Sequence, residues 1–242
     1  MDSALGVLLD GFAVKINHTN SCFYYMRKED QHKGRYKPHH LPHWDYPDAT
    51  QFITYRLWDS LPQSQAKVFL EKVQQVPEER RRVYMGHLLE EWLNTGCGCG
   101  ILTAPDVFPI ILEDWFHNNK VAYEILEWVI MPNHVHLLIN QYSGYSLKDI
   151  VDSWKSFSSR KIMETTSYKQ AIAKNPCFSD SVWYPNYFDR FIRGSGHYSK
   201  TRQYILNNPI GLQWNKTTVQ SPQDWLLSSA SEKWKEYISF EV

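Results

Sequence analysis

The sequence predicts an α+β protein built around an antiparallel sheet. Two β-rich runs, residues 121–130 and 134–140, are separated by only three residues, which predicts a hairpin. Other β-rich runs are interleaved with segments of helical spacing rather than gathered at one end, and there is no internal repeat. The chain has 242 residues, of which 43% are apolar, so it is long enough to bury a sizeable core.

The first half of the chain predicts an arm, a strand and three helices. Residues 31–47 are basic, rich in histidine and broken by three prolines, which favours an extended arm over a metal site of His39, His40 and His43. Residues 51–58 predict the first strand, and residues 64–76 and 80–93 predict two helices. A third helix is predicted over residues 106–118, with Thr103 available as its N-cap and Pro109 suited to its first turn.

The second half adds a helix over residues 147–163, an aromatic run over residues 182–192 and a last helix over residues 197–208. Pro209 ends this last helix. Residues 1–30 lack periodicity and are predicted to be a tail or an appended segment. We therefore expect a single domain over residues 31–242.

Composition predicts a cytoplasmic protein without a membrane segment. No window approaches the roughly 18–20 apolar residues that cross a bilayer. The apolar start has no basic region and is interrupted by Asp2 and Asp10, which argues against a signal peptide. The four cysteines are too few and too scattered for a disulfide framework. Cys97 and Cys99 are read as buried thiols, with half of a zinc site as the alternative.

His134 and His136 are the first candidate site residues. Residues i and i+2 of a strand face the same way, so both imidazoles project from one face, while Val135, Leu137 and Ile139 face the other. Two imidazoles on one face suit a divalent metal. Two strand histidines in ordinary polar contacts have the same spacing, so the spacing leaves both interpretations open.

The last predicted helix carries the second candidate. Tyr204 and Asn208 are one turn apart and share a polar stripe with His197 and Lys200, while Ile205 lies off the stripe and is free to pack. Tyrosine can act as a covalent nucleophile, but a surface tyrosine on an amphipathic helix has the same pattern. Tyr198 is predicted on the opposite side of the helix, about 240° from Tyr204.

Charge is the third feature. The chain has no net charge, which excludes a globally basic nucleic-acid binder. Residues 151–216, however, contain ten basic and four acidic residues, a net charge of +6. Basic residues interleaved with aromatic ones suit single-stranded nucleic acid, and a core with solvated cations is the alternative. The candidate DNA contacts are Lys155, Arg160, Arg190, Arg193, Lys200 and Arg202, among the aromatic residues Trp154, Phe157, Trp183, Tyr184, Tyr187 and Phe188.

Residues 127–139 (EWVIMPNHVHLLI) resemble the HUH motif, histidine-hydrophobic-histidine, of single-tyrosine transposases. The wider pattern is similar to the REP-associated tyrosine transposases of bacteria. It covers about residues 35–230 and includes, in order, residues 41–56, 153–157, 182–193, 204–209 and 221–230.

The resemblance implies a ferredoxin-like or RRM-like fold with a central antiparallel sheet. It implies that His134, His136 and Asn208 bind Mg²⁺ or Mn²⁺ and that Tyr204 is the nucleophile. The implied reaction cleaves and rejoins single-stranded DNA at hairpins through a 5′-phosphotyrosine. The implied protein is a monomer or homodimer associated with the nucleoid.

Two rival functions remain open at this stage. One is a domesticated protein that binds DNA hairpins without efficient cleavage. The other is a small-molecule metallohydrolase that uses His134 and His136, although no third ligand lies at the spacing of an HExxH motif.

Overall fold

The computed structural model describes residues 34–36, 43–61, 63–174, 181–208 and 227–228. The predicted tail over residues 1–30 lies outside these residues, as do His39 and His40 of the predicted arm. The last matching motif, residues 221–230, is described only at residues 227–228.

The described residues form seven strands and six α-helices. The strands are β1 Gly34–Tyr36, β2 His43–Asp45, β3 Thr50–Arg56, β4 Tyr123–Ile130, β5 His134–Gln141, β6 Phe188–Phe191 and β7 Leu227–Ser228. The helices are α1 Gln63–Gln74, α2 Glu78–Leu93, α3 Phe108–His117, α4 Leu147–Glu164, α5 Thr166–Lys174 and α6 Ser195–Asn207.

Five strands form the main sheet, in the order β6-β3-β5-β4-β7, and every neighbouring pair is antiparallel. Helices connect β3 to β4 and β5 to β6, while β4 and β5 form the predicted hairpin. This strand–helix–strand–strand–helix–strand order is the ferredoxin-like arrangement. The predicted α+β class and its central antiparallel sheet are therefore confirmed.

Both faces of the main sheet are covered. On the face named here the α4 face, Val135, Leu137 and Ile139 join the large core cluster with residues of α3 and α4. On the opposite face, named the α6 face, Leu138 joins a small cluster with Phe52, Val129, Met131, Ile192 and Ile205. Because Leu138, His136 and His134 alternate with the α4-face residues, both histidines lie on the α6 face.

The predicted extended arm instead forms part of a second sheet. β1 and β2 pair antiparallel, so β3 is the third strand of the chain and not the first. His43 is buried, and its Nδ1 lies 2.5 Å from Oδ1 of Asp189. The backbone N–H of Trp44 donates to the other oxygen of Asp189. These contacts connect β2 to β6, and they give His43 a structural environment rather than a metal site.

Two helix boundaries differ from the prediction. Thr103 lies in a short 3-10 helix, Ile101–Thr103, and α3 begins only at Phe108, so Thr103 is not its N-cap. Pro109 lies in the first turn of α3, where its missing N–H needs no partner. The structure also adds α5, separated from α4 by the extended backbone of Thr165.

Cys97 and Cys99 are both free thiols, but they are half-buried and not fully buried as predicted. The backbone N–H of Cys99 donates to Asp59, and burial raises the pKa of the Cys99 thiol. Within the described part of the chain, no three His, Cys, Asp or Glu side chains form a metal cluster. No helix among the described residues is both long and apolar enough to cross a membrane.

Candidate active site

His134 and His136 lie at the start of β5, directly after the turn that closes the hairpin. The backbone N–H of Met131 donates to the carbonyl of His134 across this turn. Both imidazoles are buried, and their Nε2 atoms lie 3.1 Å apart. Alternation along the strand therefore brings two ring nitrogens to one point on the α6 face.

Asn133 determines the tautomer of His134. Its Nδ2 donates to the carbonyls of Leu93 and Cys97, which uses both amide hydrogens. Its Oδ1 lies 2.7 Å from Nδ1 of His134 and can only accept. Nδ1 of His134 therefore carries the proton, and its Nε2 presents a lone pair.

Thr54 is the partner of His136. Its Oγ1 lies 2.7 Å from Nδ1 of His136, because β3 pairs with β5 in a register that puts the two residues opposite each other. A hydroxyl can donate or accept, so Thr54 accommodates either tautomer of the ring. In one tautomer, His136 donates from Nε2 to Nε2 of His134. In the other, its proton is on Nδ1, and the Nε2 of each histidine has a lone pair available.

Both imidazoles are uncharged at neutral pH. Burial, and next the charge of Arg56, lowers the pKa of His134 to about 3. Burial, and next His134, lowers the pKa of His136 well below its usual value. Neutral imidazole is the form that binds a metal ion, so both rings are in the protonation state that a metal ligand requires.

Tyr204 comes from α6, which packs across the α6 face. Ile205 is fully buried in the small cluster of that face, and this fixes the rotation of the helix. Tyr204 is half-buried, and its Oη lies 3.5 Å from Nε2 of His136. Its ring meets the rings of Phe52 and His136 edge-on.

Asn208 lies one turn beyond Tyr204, just after the end of α6. It is buried, and its Oδ1 has no hydrogen-bond partner among the described residues. A buried carbonyl oxygen without a partner costs free energy, so it calls for an explanation. Within the described part of the chain, this oxygen is thus an acceptor open to a ligand.

Tyr198 is not on the side of α6 that the sequence predicted. It is half-buried and, like Tyr204, packs against the small cluster of the α6 face. Tyr187 is buried in the large cluster, and its ring lies at a tilt against that of His43. Among the described tyrosines, only Tyr204 has its hydroxyl within 3.5 Å of His134 or His136.

The six predicted DNA contacts do not form one surface. Lys155 and Arg160 lie on α4, across the sheet from α6. Nζ of Lys155 donates to the carbonyl of Pro185, and burial lowers the pKa of Lys155 to about 8. The other four, Arg190, Arg193, Lys200 and Arg202, lie on β6, on α6 or between them.

Of these four, Arg193 and Lys200 are exposed, and Arg190 is half-buried. Arg202 is exposed and forms an ion pair with Glu127 of β4, so part of its charge is neutralised. Arg193, Lys200 and Arg202 thus place exposed cations on α6 or just before it.

Most of the aromatic residues proposed for base stacking belong to the core. Trp154, Trp183, Tyr187 and Phe188 are all buried. Trp154 donates to Tyr123, and Trp183 donates to Ser158, as buried indole N–H groups require. Only Phe157 and Tyr184 of this set are partly exposed.

Sequence reasoning missed Thr54 and Asn133. Asn133 directly precedes His134, and an amide next to a candidate ligand is a usable signal. Thr54 is 82 residues from His136, so only the strand register brings them together.

The fold and this site define an α+β protein with a buried histidine pair and a tyrosine brought beside it by the last helix. Residues 111–208 match the family model described as "Transposase IS200 like", a range that contains His134, His136, Tyr204 and Asn208. This part of the chain is therefore similar to IS200-like transposases, which confirms the predicted resemblance to single-tyrosine transposases.

Two solved structures match most of the chain at low identity. A REP-associated tyrosine transposase bound to a REP hairpin has 16% identity and a TM-score of 0.41, over 78% of this chain and 80% of that one. A Deinococcus radiodurans R1 protein described as a candidate transposase has 16% identity and a TM-score of 0.32, over 71% of this chain and 95% of that one. No curated protein matches the chain.

Proposed function

We propose that this protein is a tyrosine transposase that cleaves and rejoins single-stranded DNA at REP-like hairpins. The observation that carries the proposal is the 3.5 Å separation between Oη of Tyr204 and Nε2 of His136, which itself lies 3.1 Å from Nε2 of His134. A tyrosine hydroxyl beside two neutral ring nitrogens combines a nucleophile with a metal-binding pair. The hairpin substrate rests on the REP-associated pattern of the sequence motifs.

His134, His136 and Asn208 are the residues that would hold a divalent ion, Mg²⁺ or Mn²⁺. Two imidazoles and one amide oxygen form a donor set that suits Mn²⁺ and is acceptable to Mg²⁺. The buried Oδ1 of Asn208 without a partner supports this assignment. When bound, the ion supplies positive charge that polarises the phosphate and eases ionisation of the phenol.

Tyr204 performs the bond exchange. Its oxygen attacks the phosphorus, a new Tyr204–phosphate bond forms, and the bond from phosphorus to the 3′-oxygen breaks. The phenol loses its proton, and the leaving oxygen takes one up to become a 3′-OH. Attack by another 3′-OH on the phosphotyrosine reverses the exchange, so strands rejoin without ATP.

Arg190, Arg193, Lys200 and Arg202 are the proposed DNA contacts on this side of the molecule, because they lie near the start of α6 and along it. Lys155 and Arg160 are proposed only as outer contacts, since α4 lies across the sheet. We propose that the protein acts on nucleoid DNA in the cytoplasm, as a monomer or homodimer.

The rival functions use less of the site. A small-molecule metallohydrolase has no need of Tyr204 beside the histidines. A hairpin-binding protein without cleavage needs neither the buried histidine pair nor Tyr204. Both rivals predict that no covalent protein–DNA product forms.

The test is covalent capture of DNA. Wild-type protein is incubated with a labelled hairpin oligonucleotide and Mn²⁺, and the products are separated on a denaturing gel. We expect an adduct that Tyr204→Phe abolishes and that Tyr198→Phe and Tyr187→Phe retain. Tyr198→Phe is the matched control, because Tyr198 lies on the same helix and packs on the same cluster. An adduct that survives Tyr204→Phe would falsify the nucleophile assignment.

A further inference from the structure

Arg56 is a buried cation on the α6 face of the sheet. It ends β3, and its Cα lies opposite that of His134 in the β3–β5 register. Directly opposed residues of two strands present their side chains on the same face as close neighbours. Arg56 therefore lies beside His134, as Thr54 lies beside His136.

The environment of Arg56 offsets its charge only in part. The residue is only 7% exposed, yet none of the described carboxylates lies within ion-pair distance of it. Its Nη1 donates to the uncharged Oγ of Ser60 and to the carbonyl of Leu57. The charge of Asp59 raises the pKa of Arg56, but Asp59 forms no ion pair with it and accepts from the backbone N–H of Cys99.

Arg56 nevertheless stays charged. Burial lowers its pKa to about 10, which leaves the guanidinium protonated at neutral pH. A buried charge that is only partly compensated is destabilising, and a bound anion lowers that cost. A phosphate is the anion that the proposed DNA substrate supplies.

Two aromatic rings continue from Arg56 toward the surface. The guanidinium carbon lies 3.7 Å from the ring centre of Tyr184, whose backbone N–H donates to the carbonyl of Arg56. The Tyr184 ring lies 5.8 Å from that of Trp58, which is 37% exposed. Exposed aromatic rings beside a cation are the combination that binds an unpaired nucleotide.

We propose that Arg56 binds a phosphate of the substrate strand, at the cleaved phosphodiester or directly next to it, with the adjoining unpaired base against Trp58 and Tyr184. This inference rests on the proposed function, since it takes single-stranded DNA as the substrate. Successive same-face positions of a strand are roughly 7 Å apart. Arg56 therefore adjoins the histidine pair on the side of His134, whereas Tyr204 adjoins it on the side of His136.

The test measures whether Arg56 and one phosphate of the DNA depend on each other for binding. All binding is measured in the Tyr204→Phe background without divalent metal, so that no strand is cut. A neutral methylphosphonate replaces, one at a time, the cleaved phosphate and its two neighbours in a hairpin oligonucleotide. Arg56→Gln removes the charge, Arg56→Lys keeps the charge without the planar fork, and Arg80→Gln is the control on the exposed surface of α2.

We expect one of the three methylphosphonates to weaken binding by about tenfold, the size of a charge-assisted hydrogen bond. Arg56→Gln should weaken binding of the normal oligonucleotide to a similar extent and lose nothing further with that methylphosphonate. Arg56→Lys should keep part of the coupling, and Arg80→Gln should keep all of it. If Arg56 has only a structural role, the losses of binding caused by Arg56→Gln and by the methylphosphonate should add.

If the losses from Arg56→Gln and from the methylphosphonate add at all three positions, the assignment is overturned. It is also overturned if the protein that keeps Arg56 binds all three methylphosphonate oligonucleotides as tightly as the normal one. Adduct formation by the wild-type protein, assayed separately, distinguishes this failure from failure of the proposed function. If the adduct forms but Arg56→Gln and the methylphosphonates act additively, only the role of Arg56 is removed. Coupling without an adduct removes only the cleavage chemistry.

Discussion

The Nε2 atoms of His134 and His136 lie 3.1 Å apart in the buried α6 face of the sheet. Two lone pairs cannot face each other at this distance without repulsion, so a proton or a cation must lie between them. Asn133 keeps the proton of His134 on Nδ1, which leaves His136 as the ring that changes tautomer. Thr54 can accept or donate, and so allows both states.

Replacing either histidine should abolish cleavage and largely spare DNA binding. His134→Ala and His136→Ala each remove one of the two proposed imidazole ligands, whereas DNA affinity depends on phosphate contacts and stacking elsewhere. The assay is nicking of a labelled hairpin oligonucleotide with Mn²⁺, beside a gel shift of the same oligonucleotide without metal. Full cleavage by either variant contradicts the metal assignment.

Thr54→Val should weaken metal binding by roughly 10- to 100-fold, the range typical of losing the partner of a ligating histidine. Valine keeps the shape of threonine but cannot accept the Nδ1 proton of His136. Thr54→Ser keeps the hydroxyl and is the matched control. Mn²⁺ affinity is measured by titration calorimetry on the DNA-free protein, and equal affinities for the two variants would show that Thr54 does not support His136.

The buried histidines should make the metal-free protein less stable in acid. The pKa of His134 is lowered in the folded state, so between pH 6.5 and about 3 the unfolded chain binds more protons. Stability contributed by the neutral ring is therefore present above pH 6.5 and is lost as the pH falls.

For His134 alone, the unfolding free energy should fall by about 3 kcal/mol between pH 7 and pH 4. The measurement is urea unfolding in the presence of a chelator. His134→Gln should show a correspondingly flatter pH dependence. The comparison also cancels the opposite contribution of Glu90, whose pKa burial raises to about 7 and whose stabilising effect is lost as the pH rises.

DNA affinity should depend on the cations near α6 more than on those of α4. Arg193→Gln combined with Lys200→Gln should weaken hairpin binding and reduce the slope of log affinity against log salt by roughly 0.7 for each lost phosphate contact. Arg160→Gln, on the far side of the sheet, should change the slope less. A hairpin should also bind more tightly than a plain duplex. The reverse order of the variants would place the DNA on the α4 face.

Local spacing in the sequence determined much of the fold and the candidate site. The hairpin of β4 and β5, the shared face of His134 and His136, and the shared turn of Tyr204 and Asn208 all follow from the fixed periods of strands and helices. These periods are set by backbone geometry within a few residues. The motif around the histidines carried the resemblance for the same reason, because its residues are contiguous.

Only the tertiary structure decided what lies across the sheet. Thr54 and Arg56 come beside the histidines through a register between strands about 80 residues apart, and no local pattern specifies that register. The same packing buried Trp154 and Trp183, which composition alone left equally suited to stacking on bases. It also separated Lys155 and Arg160 from the cations near α6. Residues that belong to one basic stretch of the sequence can pack on opposite faces of one sheet.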